Sequence, residues 1–451
     1  MNQHIEENLE RKIKKNIYGK AQSVKITFPA GLGSTALKEI ESILNNLWFP
    51  QKFQSHCQLL KNEIQIDKIH MSAISELLIR CQCISDIKLI LLEEKALGKE
   101  AFEKQCRSLN WNMFLQKEMS LKIKVNSVAS KAFHETGLKE ILANILNNHV
   151  SEIVSGENTT ETTSLNADLY KDTLTLSISL AGDSLYKRGY RGTLSASAPL
   201  REDAAACCIQ KSIMFAQSKN SNFNMNTILI PFSGTGTFAF EYLQWHYKFV
   251  PGLFERIYAL QKMPLFRQES FNFLLKKAKE NCLFKTKDEN NSENLNSENL
   301  KIICIDNSSN ANTALVENLN IFEKKIHNND FIFPAEIFEK NAVINENFLK
   351  LDIDSFLSHK NYGPIFLPLN PPYGIRIHKK SDPIAFYKSI AIKINELSKI
   401  LKKENHNLSG FILCPNEETW SSFCNQLKHF DLETYHFTQG GMDIRVCQFY
   451  I

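Results

Sequence analysis

The sequence predicts an α/β protein: a mostly parallel, seven-stranded sheet covered on both faces and closed by an antiparallel hairpin, preceded by a smaller α+β region. Three observations predict it. From about residue 227, short apolar runs alternate with helical stretches, as crossover-connected parallel strands require. The last two apolar runs have only "QGGMD" between them, room for a hairpin but not for a helix. Before residue 182 the strand and helix patterns are shorter and mixed.

The chain has 451 residues, 43% hydrophobic and 23% charged, which suits two or three domains with sizeable cores. Its formal net charge of +4 gives little bulk attraction for nucleic acid, so any basic surface must be local. The eleven cysteines are scattered without a CxxC, and neither Cys81/Cys83 nor Cys207/Cys208 has partners at zinc spacing. The expectation is reduced thiols, no metal and a cytoplasmic location. The opening "MNQHIEENLERKIKKNIYGK" lacks the apolar core of a secretion signal, and no run reaches the ~18 apolar residues of a membrane span.

Residues 1–23 read as an N-terminal extension. In 24–66, "SVKITF" reads as a strand, 34–44 as a helix with Leu37, Ile40 and Leu44 on one face, and "NEIQIDKI" as a strand. In 67–181 a helix ("MSAISELLIRC"), a strand ("DIKLILLEE") and a second helix ("AFEKQCRSLNWNMFL") come first. The alternating strand "SLKIKVNSVA", the amphipathic helix "TGLKEILANILNNHV" and the hairpin "LYKDTLTLSISLAG" follow. Lys122, Lys124 and Lys131 lie around the alternating strand, either as a solvated face or as an RNA-facing cluster. From 182, a basic loop "LYKRGYRG" with Lys187, Arg188 and Arg191 leads to "APLREDAAACCIQKS", where Pro199 suits the first turn of a helix. Strands then follow at "TILIPF", "KIICID", "FLKLD", "IFLPLN", "LSGFILCP", "LETYHFT" and "RVCQFYI", with helices from about 237 and at 308–319, 383–403 and 416–428. The asparagine-rich stretch 285–300 reads as a low-complexity insertion.

Four strand ends carry chemistry. In "ILIPFSGTGTFAFEY" a strand runs into Gly234-Thr235-Gly236-Thr237 and a helix opens. Glycines there let the backbone approach a ligand, and the helix start offers free N–H groups; a plain strand–helix turn is the alternative. No Gly-Lys-Ser/Thr follows, which excludes a phosphate P-loop. Asp306 ends "KIICID", at the side of an open sheet where ligands lie; it can accept both hydroxyls of a ribose or cap the next helix. Asp352 ends "FLKLD" and can accept from an adenine amine or serve as a loop acid or cap. "IFLPL" stops at Asn370-Pro371-Pro372-Tyr373. The prolines fix φ and remove two N–H donors, so carbonyls face open space. Asn370 adds an acceptor, and Tyr373 a flat face for a base. Acceptors beside a stacking ring suit the exocyclic amine of a nucleobase.

This ordered set resembles the class I S-adenosylmethionine-dependent methyltransferases that carry an NPPY motif. "YKRGYR", "APLRED", "PFSGTGT", "VPGL" (250–253) and "NPPYGIRI" look like landmarks of the THUMP-domain RNA methyltransferases, foremost the bacterial branch acting on guanine N2 of 23S rRNA. The resemblance implies a ferredoxin-like region over 24–66, a THUMP RNA-binding domain over 67–181 and a Rossmann-like class I methyltransferase domain over 182–451. It implies S-adenosyl-L-methionine as cofactor. Phe232, Ser233, Gly234, Thr235, Gly236 and Thr237 would line its methionine half, Asp306 its ribose and Asp352 its adenine, with Pro199 and Leu200 close by and Asn370 reaching both cofactor and base. Asn370, Pro371, Pro372 and Tyr373 would be catalytic, holding the amine for direct in-line methyl transfer. Lys187, Arg188, Arg191, Lys122 and Lys124 would contact RNA, with 23S rRNA ahead of tRNA. His378, Lys379 and Lys380 would either join them or form a solvated turn. Adenine-N6 methylation and a non-catalytic RNA-binding assembly factor are the rival readings. The chain departs from the family at Ile230, where an Asp is usual and for which Glu202 or Asp203 could partly substitute, and at Ile375, where Glu is common.

Overall fold

The computed structural model describes residues 2–50, 53–130, 134–154, 162–194, 199–221, 223, 225, 227–287, 300–338, 342–358, 362–373 and 382–451. Lys131, most of the asparagine-rich insertion, and Ile375, His378, Lys379 and Lys380 lie outside the described residues. The chain divides into two compact units. Met1–Phe28, Ala36–Lys187 and Pro251–Glu280 form the first; Pro29–Thr35, Arg188–Val250 and Asn281–Ile451 form the second.

The first unit is built on an eight-stranded sheet of β1 (Gln22–Thr27), β2 (His56–Leu59), β3 (Glu63–Ile69), β4 (Asp86–Lys95), β5 (Ser120–Val128), β6 (Glu152–Ile153), β7 (Thr163–Tyr170) and β8 (Thr173–Ser179), in the order β2-β3-β1-β4-β8-β7-β5-β6. Its strands alternate as the sequence does. Val24, Ile26, Ile64, Ile66, Ile87, Leu89, Leu121 and Ile123 are buried on one face. The helices Met71–Arg80 and Glu135–Leu146 bury Ile74, Leu77, Leu138 and Leu142. Lys171 and Asp172 close the β7–β8 hairpin at φ 47° and 59°, a two-residue turn whose twist matches its strands.

The expected boundaries change in three places. Residues 24–66 and 67–181 share this one sheet, because β1 pairs with β4 and β4 with β8. Residues 251–280 also belong here rather than to a continuous domain over 182–451. Gly252 of the "VPGL" stretch packs so closely that a Cβ would lie 2.6 Å from Ile79 Cγ2. The N-terminal extension is helical over Asn2–Ile13 and continues as a π turn, Lys14–Tyr18. Ile13 and Ile17 are buried, and Tyr18 Oη donates to the Leu265 carbonyl at 2.9 Å.

On β4, Asp86 accepts from Ser179 Oγ at 2.7 Å. Burial pushes its carboxyl from 3.8 up to about 6, against Ser179, Lys88 and Lys124. The folded chain then keeps a proton that the unfolded chain has released, so stability falls as pH rises from about 4 to about 6. Asp86→Asn is expected to flatten that part of a urea-midpoint-versus-pH curve. An unchanged slope would clear Asp86 of the effect.

The second unit carries a seven-stranded sheet of β9 (Thr227–Pro231), β10 (Lys301–Ile305), β11 (Val343–Ile344), β12 (Ile365–Leu369), β13 (Leu408–Cys414), β14 (Asp431–Gln439) and β15 (Met442–Tyr450), in the order β11-β10-β9-β12-β13-β15-β14. β9 to β13 are parallel and β15 is antiparallel to both its neighbours. The central strands are apolar without alternation because both faces are covered; Ile228, Ile230, Ile365, Phe366, Leu367 and Leu369 are all fully buried. Gly440 and Gly441, at φ 57° and 80°, close the expected hairpin. The third strand differs from expectation. Asn347 Oδ1 accepts from Leu349 N at 3.0 Å and starts a 3-10 turn, Phe348–Lys350, where "FLKLD" was expected to be extended. Strand pairing is confined to Val343 and Ile344. Among the described residues no helix is long and apolar enough to cross a membrane.

Candidate active site

The sheet is extended from β9 in two directions, by β10 and β11 on one side and by β12 and β13 on the other. Ligands bind outside the carboxyl ends of strands at such a switch point. Register pairs Pro231 with Ile305, and Ile228 with Phe366. The segments that follow these strands, Phe232–Thr237, Asp306 and Asn370–Tyr373, therefore start from neighbouring strand ends.

The first segment is a tight turn. Phe232 has φ +57°, a costly conformation for an aromatic residue, and its ring packs against Phe348 and Phe386. Ser233 N donates to the Ile305 carbonyl at 3.2 Å and Gly236 N to the Ser233 carbonyl at 2.9 Å. Asp306 Oδ2 accepts from Gly234 N at 2.9 Å and Oδ1 from Ser308 N at 2.9 Å. Asp306 thus fastens the turn, and Ser308 is the residue that caps the helix Ser309–Asn328. Each carboxylate oxygen still has capacity for a further donor such as a hydroxyl.

The turn is open on one side. Among the described residues, a Cβ on Gly234 would meet nothing within 4 Å, and Ser233 Oγ is buried without a hydrogen-bond partner. Gly236 is closed instead: at φ +85° a Cβ would lie 2.8 Å from Phe240 Cε2 and 3.1 Å from Leu315 Cγ. Gly236→Val is therefore expected to lower stability by about 2 kcal/mol or more, read from the urea midpoint. An unchanged midpoint would contradict this geometry.

Two residues hold the turn from behind: Asn318, which sequence reasoning missed, and Arg191, which it placed elsewhere. Asn318 donates to the Thr235 carbonyl at 2.9 Å and accepts from Gly192 N at 2.7 Å. Its signal was present: a polar residue on the helix face of Leu315 and Phe322. Arg191 donates to the Leu200 carbonyl at 2.7 Å, to Thr237 Oγ1 at 3.2 Å and to Glu202. Arg191 was expected at RNA phosphates, but its guanidinium is committed to this bracing. Arg188 also departs from that expectation. It is 2% exposed and ion-paired with Glu241, which also accepts from Tyr190 Oη at 3.0 Å. Burial pushes the Glu241 carboxyl up to about 7, with Arg188 pulling the other way.

Other site residues fall as follows. Leu200 is buried; Pro199 is exposed and precedes the helix Glu202–Lys219, because Arg201 is extended at its N-cap. Asp352 is not at a strand end. It precedes the short helix Ile353–Ser358 and accepts from Ser355 N at 3.3 Å, while Asn345–Asn347 follow β11. Ile230 is fully buried. Glu202 is paired with Arg191, and Asp203 with Arg201. Pro371 is buried, whereas Asn370, Pro372 and Tyr373 are partly exposed. Tyr373 lies within electrostatic reach of Tyr387, whose hydroxyl donates to the Leu413 carbonyl at 3.0 Å. Lys187, in the first unit, is exposed and paired with Asp183; Lys124 is exposed and Lys122 partly so. Among the described residues no three His, Cys, Asp or Glu side chains gather as a metal site.

Solved structures share this architecture over nearly the whole chain. One assigned as a methyltransferase and solved with SAH aligns at a TM-score of 0.70 and 19% identity, covering 96% of this chain and 98% of that one. The fold is that of a methyltransferase. A protein from Listeria monocytogenes, described as a predicted N6-adenine-specific DNA methylase, gives 0.67 at 16% identity over 96% and 99% of the two chains. TrmN from Thermus thermophilus gives 0.57 at 13% identity over 95% and 99%. Curated relatives named ribosomal RNA large subunit methyltransferase K/L match by sequence. That of Hydrogenovibrio crunogenus is 26% identical over 161 residues, 34% of this chain and 21% of that protein. That of Psychromonas ingrahamii is 25% identical over 194 residues, 42% of this chain and 25% of that protein. The chain thus spans a quarter or less of the length of these relatives. No model of a known family matches the sequence. On this methyltransferase fold, the glycine turn, Asp306 and Asn370–Tyr373 occupy one switch point.

Proposed function

We infer that this chain is an S-adenosylmethionine-dependent RNA methyltransferase that modifies an exocyclic base amine, foremost guanine N2 of 23S rRNA. One observation carries the reading: the turn with an open side at Gly234 and the acceptor-rich Asn370–Tyr373 segment leave adjacent strands at the switch point. The names of the sequence relatives support the substrate class. The first unit would then serve as the ferredoxin-like and THUMP RNA-binding part of a cytoplasmic enzyme.

The residues fit the cofactor. Ser233 to Gly236 would hold its amino-acid end, with the unused Ser233 hydroxyl facing it, and Asp306 would accept its ribose hydroxyls. When bound, S-adenosylmethionine supplies an electrophilic methyl group. Asn370 Oδ1 and a proline carbonyl would accept the two amine hydrogens, turning the nitrogen lone pair out of conjugation. Tyr373 would stack on the base, and a paired target must first leave its helix. Rate would come from this positioning and from carbonyl dipoles facing the charge that develops on nitrogen.

Transfer of label from S-adenosylmethionine to unmodified 23S rRNA, bulk tRNA and duplex DNA tests the reading; the rRNA is expected to take the label. Label in DNA alone would overturn it. Ile230 supports a second reading, an RNA-binding factor without transferase activity, because its burial leaves no acid at that position and Glu202 and Asp203 are ion-paired elsewhere. Absence of calorimetric heat with S-adenosylmethionine up to millimolar concentration would favour it.

A further inference from the structure

The methyl transfer proposed above uses none of the eleven cysteines. Eight are buried, and Cys57, Cys282 and Cys424 are partly exposed. Cys424 stands out by its neighbour: its Sγ is hydrogen-bonded to Cys447 Sγ at 3.3 Å.

The fold holds these two sulfurs together. Cys424 ends the helix Glu417–Cys424, and Cys447 lies in β15. Alternate residues of a strand share a face, and three of them on β15 meet this helix. Arg445 pairs with Glu417 and lies over the Trp420 ring, Cys447 meets Cys424, and Phe449 packs against Phe423 with ring centres 6.1 Å apart. Trp420 Nε1 also donates to Thr434 Oγ1 of β14 at 3.3 Å. The sulfurs are thus fixed in register from both sides, and a shift of roughly 1 Å joins them.

The pair is asymmetric. Cys424 is partly exposed and Cys447 fully buried. The hydrogen bond from Cys447 lowers the pKa of Cys424, against burial and Glu417. The same bond raises that of Cys447, and burial and Cys414 raise it further. Burial instead pushes Cys57 up to about 11 and Cys282 up to about 12. An accessible thiol held towards its thiolate is the attacking one in disulfide exchange, and a second thiol touching it can resolve the adduct without reaching solvent.

We propose that Cys424 and Cys447 form a reversible thiol–disulfide site, oxidised by a low-molecular-weight disulfide of the glutathione class. The site stands independently of the function proposed above. The Cys424 thiolate attacks one sulfur of the small disulfide and expels the other as a thiolate, which takes up the proton that Cys424 lost. Cys447 then gives up its proton, its sulfur attacks Cys424, and the second small thiolate leaves with that proton. Two protein thiols become one disulfide, and the small disulfide becomes two thiols. Cys424 bears no charge in the mixed disulfide, so the main cause that holds the Cys447 proton is gone at the step that needs it. Excess small thiol reverses both steps.

The test uses the full chain, reduced and then freed of reductant, with oxidised glutathione as probe. Remaining thiols are alkylated in urea and mapped by peptide mass spectrometry. The wild type is expected to link Cys424 to Cys447, and dithiothreitol to restore both thiols. In Cys447→Ala the glutathione should stay on Cys424 as a stable mixed disulfide. In Cys424→Ala, Cys447 should take up glutathione at least about tenfold more slowly than Cys424 does in Cys447→Ala. Cys57→Ala/Cys282→Ala should link like the wild type. The linkage itself is read in the wild type, so a variant that folds poorly does not decide the matter. Glutathione on Cys57 or Cys282 with Cys424 still free would overturn the site. A wild type that does not react, or that keeps glutathione on Cys424 while Cys447 stays reduced, would overturn it as well.

Discussion

Asn370→Ala should cut methyl transfer by about 10²–10³-fold while the dissociation constant for S-adenosylhomocysteine stays within about twofold. Asn370 follows β12 directly and is partly exposed, so its side chain is accessible to a target amine. The strand it follows is anchored by Ile365, Phe366, Leu367 and Leu369, all fully buried, so the variant should keep its urea midpoint. A normal kcat in this variant would remove Asn370 from the chemistry. A kcat loss matched by a large fall in midpoint would make it structural.

Arg188→Met should be the most destabilising single change in the second unit, by about 3–5 kcal/mol, because it strands Glu241 in the core without its cation. Both side chains of the pair are 0% exposed. Tyr190 and Gln244 still donate to Glu241, but neutral donors do not replace a charge. The double variant Arg188→Met/Glu241→Leu should recover most of the loss, since a well-packed apolar pair often matches a buried ion pair. Paired urea titrations of the single and double variants check this. Equal midpoints for wild type and Arg188→Met would show that the pair carries no stability.

The contrast between Lys187 and Arg188 shows where sequence reading stops. In the loop both look like phosphate contacts, yet one is exposed and the other is buried against a glutamate 53 residues away. Charge in a glycine-containing loop says nothing about a partner supplied by a later helix. The central strands were legible because burial on both faces leaves unbroken apolar runs. That Asp306 and Asn370 stand just past strand ends was legible for the same reason, because each follows such a run directly. Asp352 misled because "FLKLD" has strand composition, while one side-chain bond from Asn347 converts it to a turn. β2 was missed because "HCQL" is mostly exposed and has no apolar alternation. The return of residues 251–280 to the first unit was invisible for a similar reason: it rests on packing between Gly252 and Ile79, far apart in sequence.

The most direct measurement is nucleoside mass spectrometry of unmodified 23S rRNA after incubation with the protein and labelled S-adenosylmethionine, with Asn370→Ala alongside. The proposed function predicts label in N2-methylguanosine that disappears in the variant. Label in N6-methyladenosine would keep the site and contradict the guanine assignment. No label in any nucleoside, with wild type and variant alike, would contradict the catalytic reading itself.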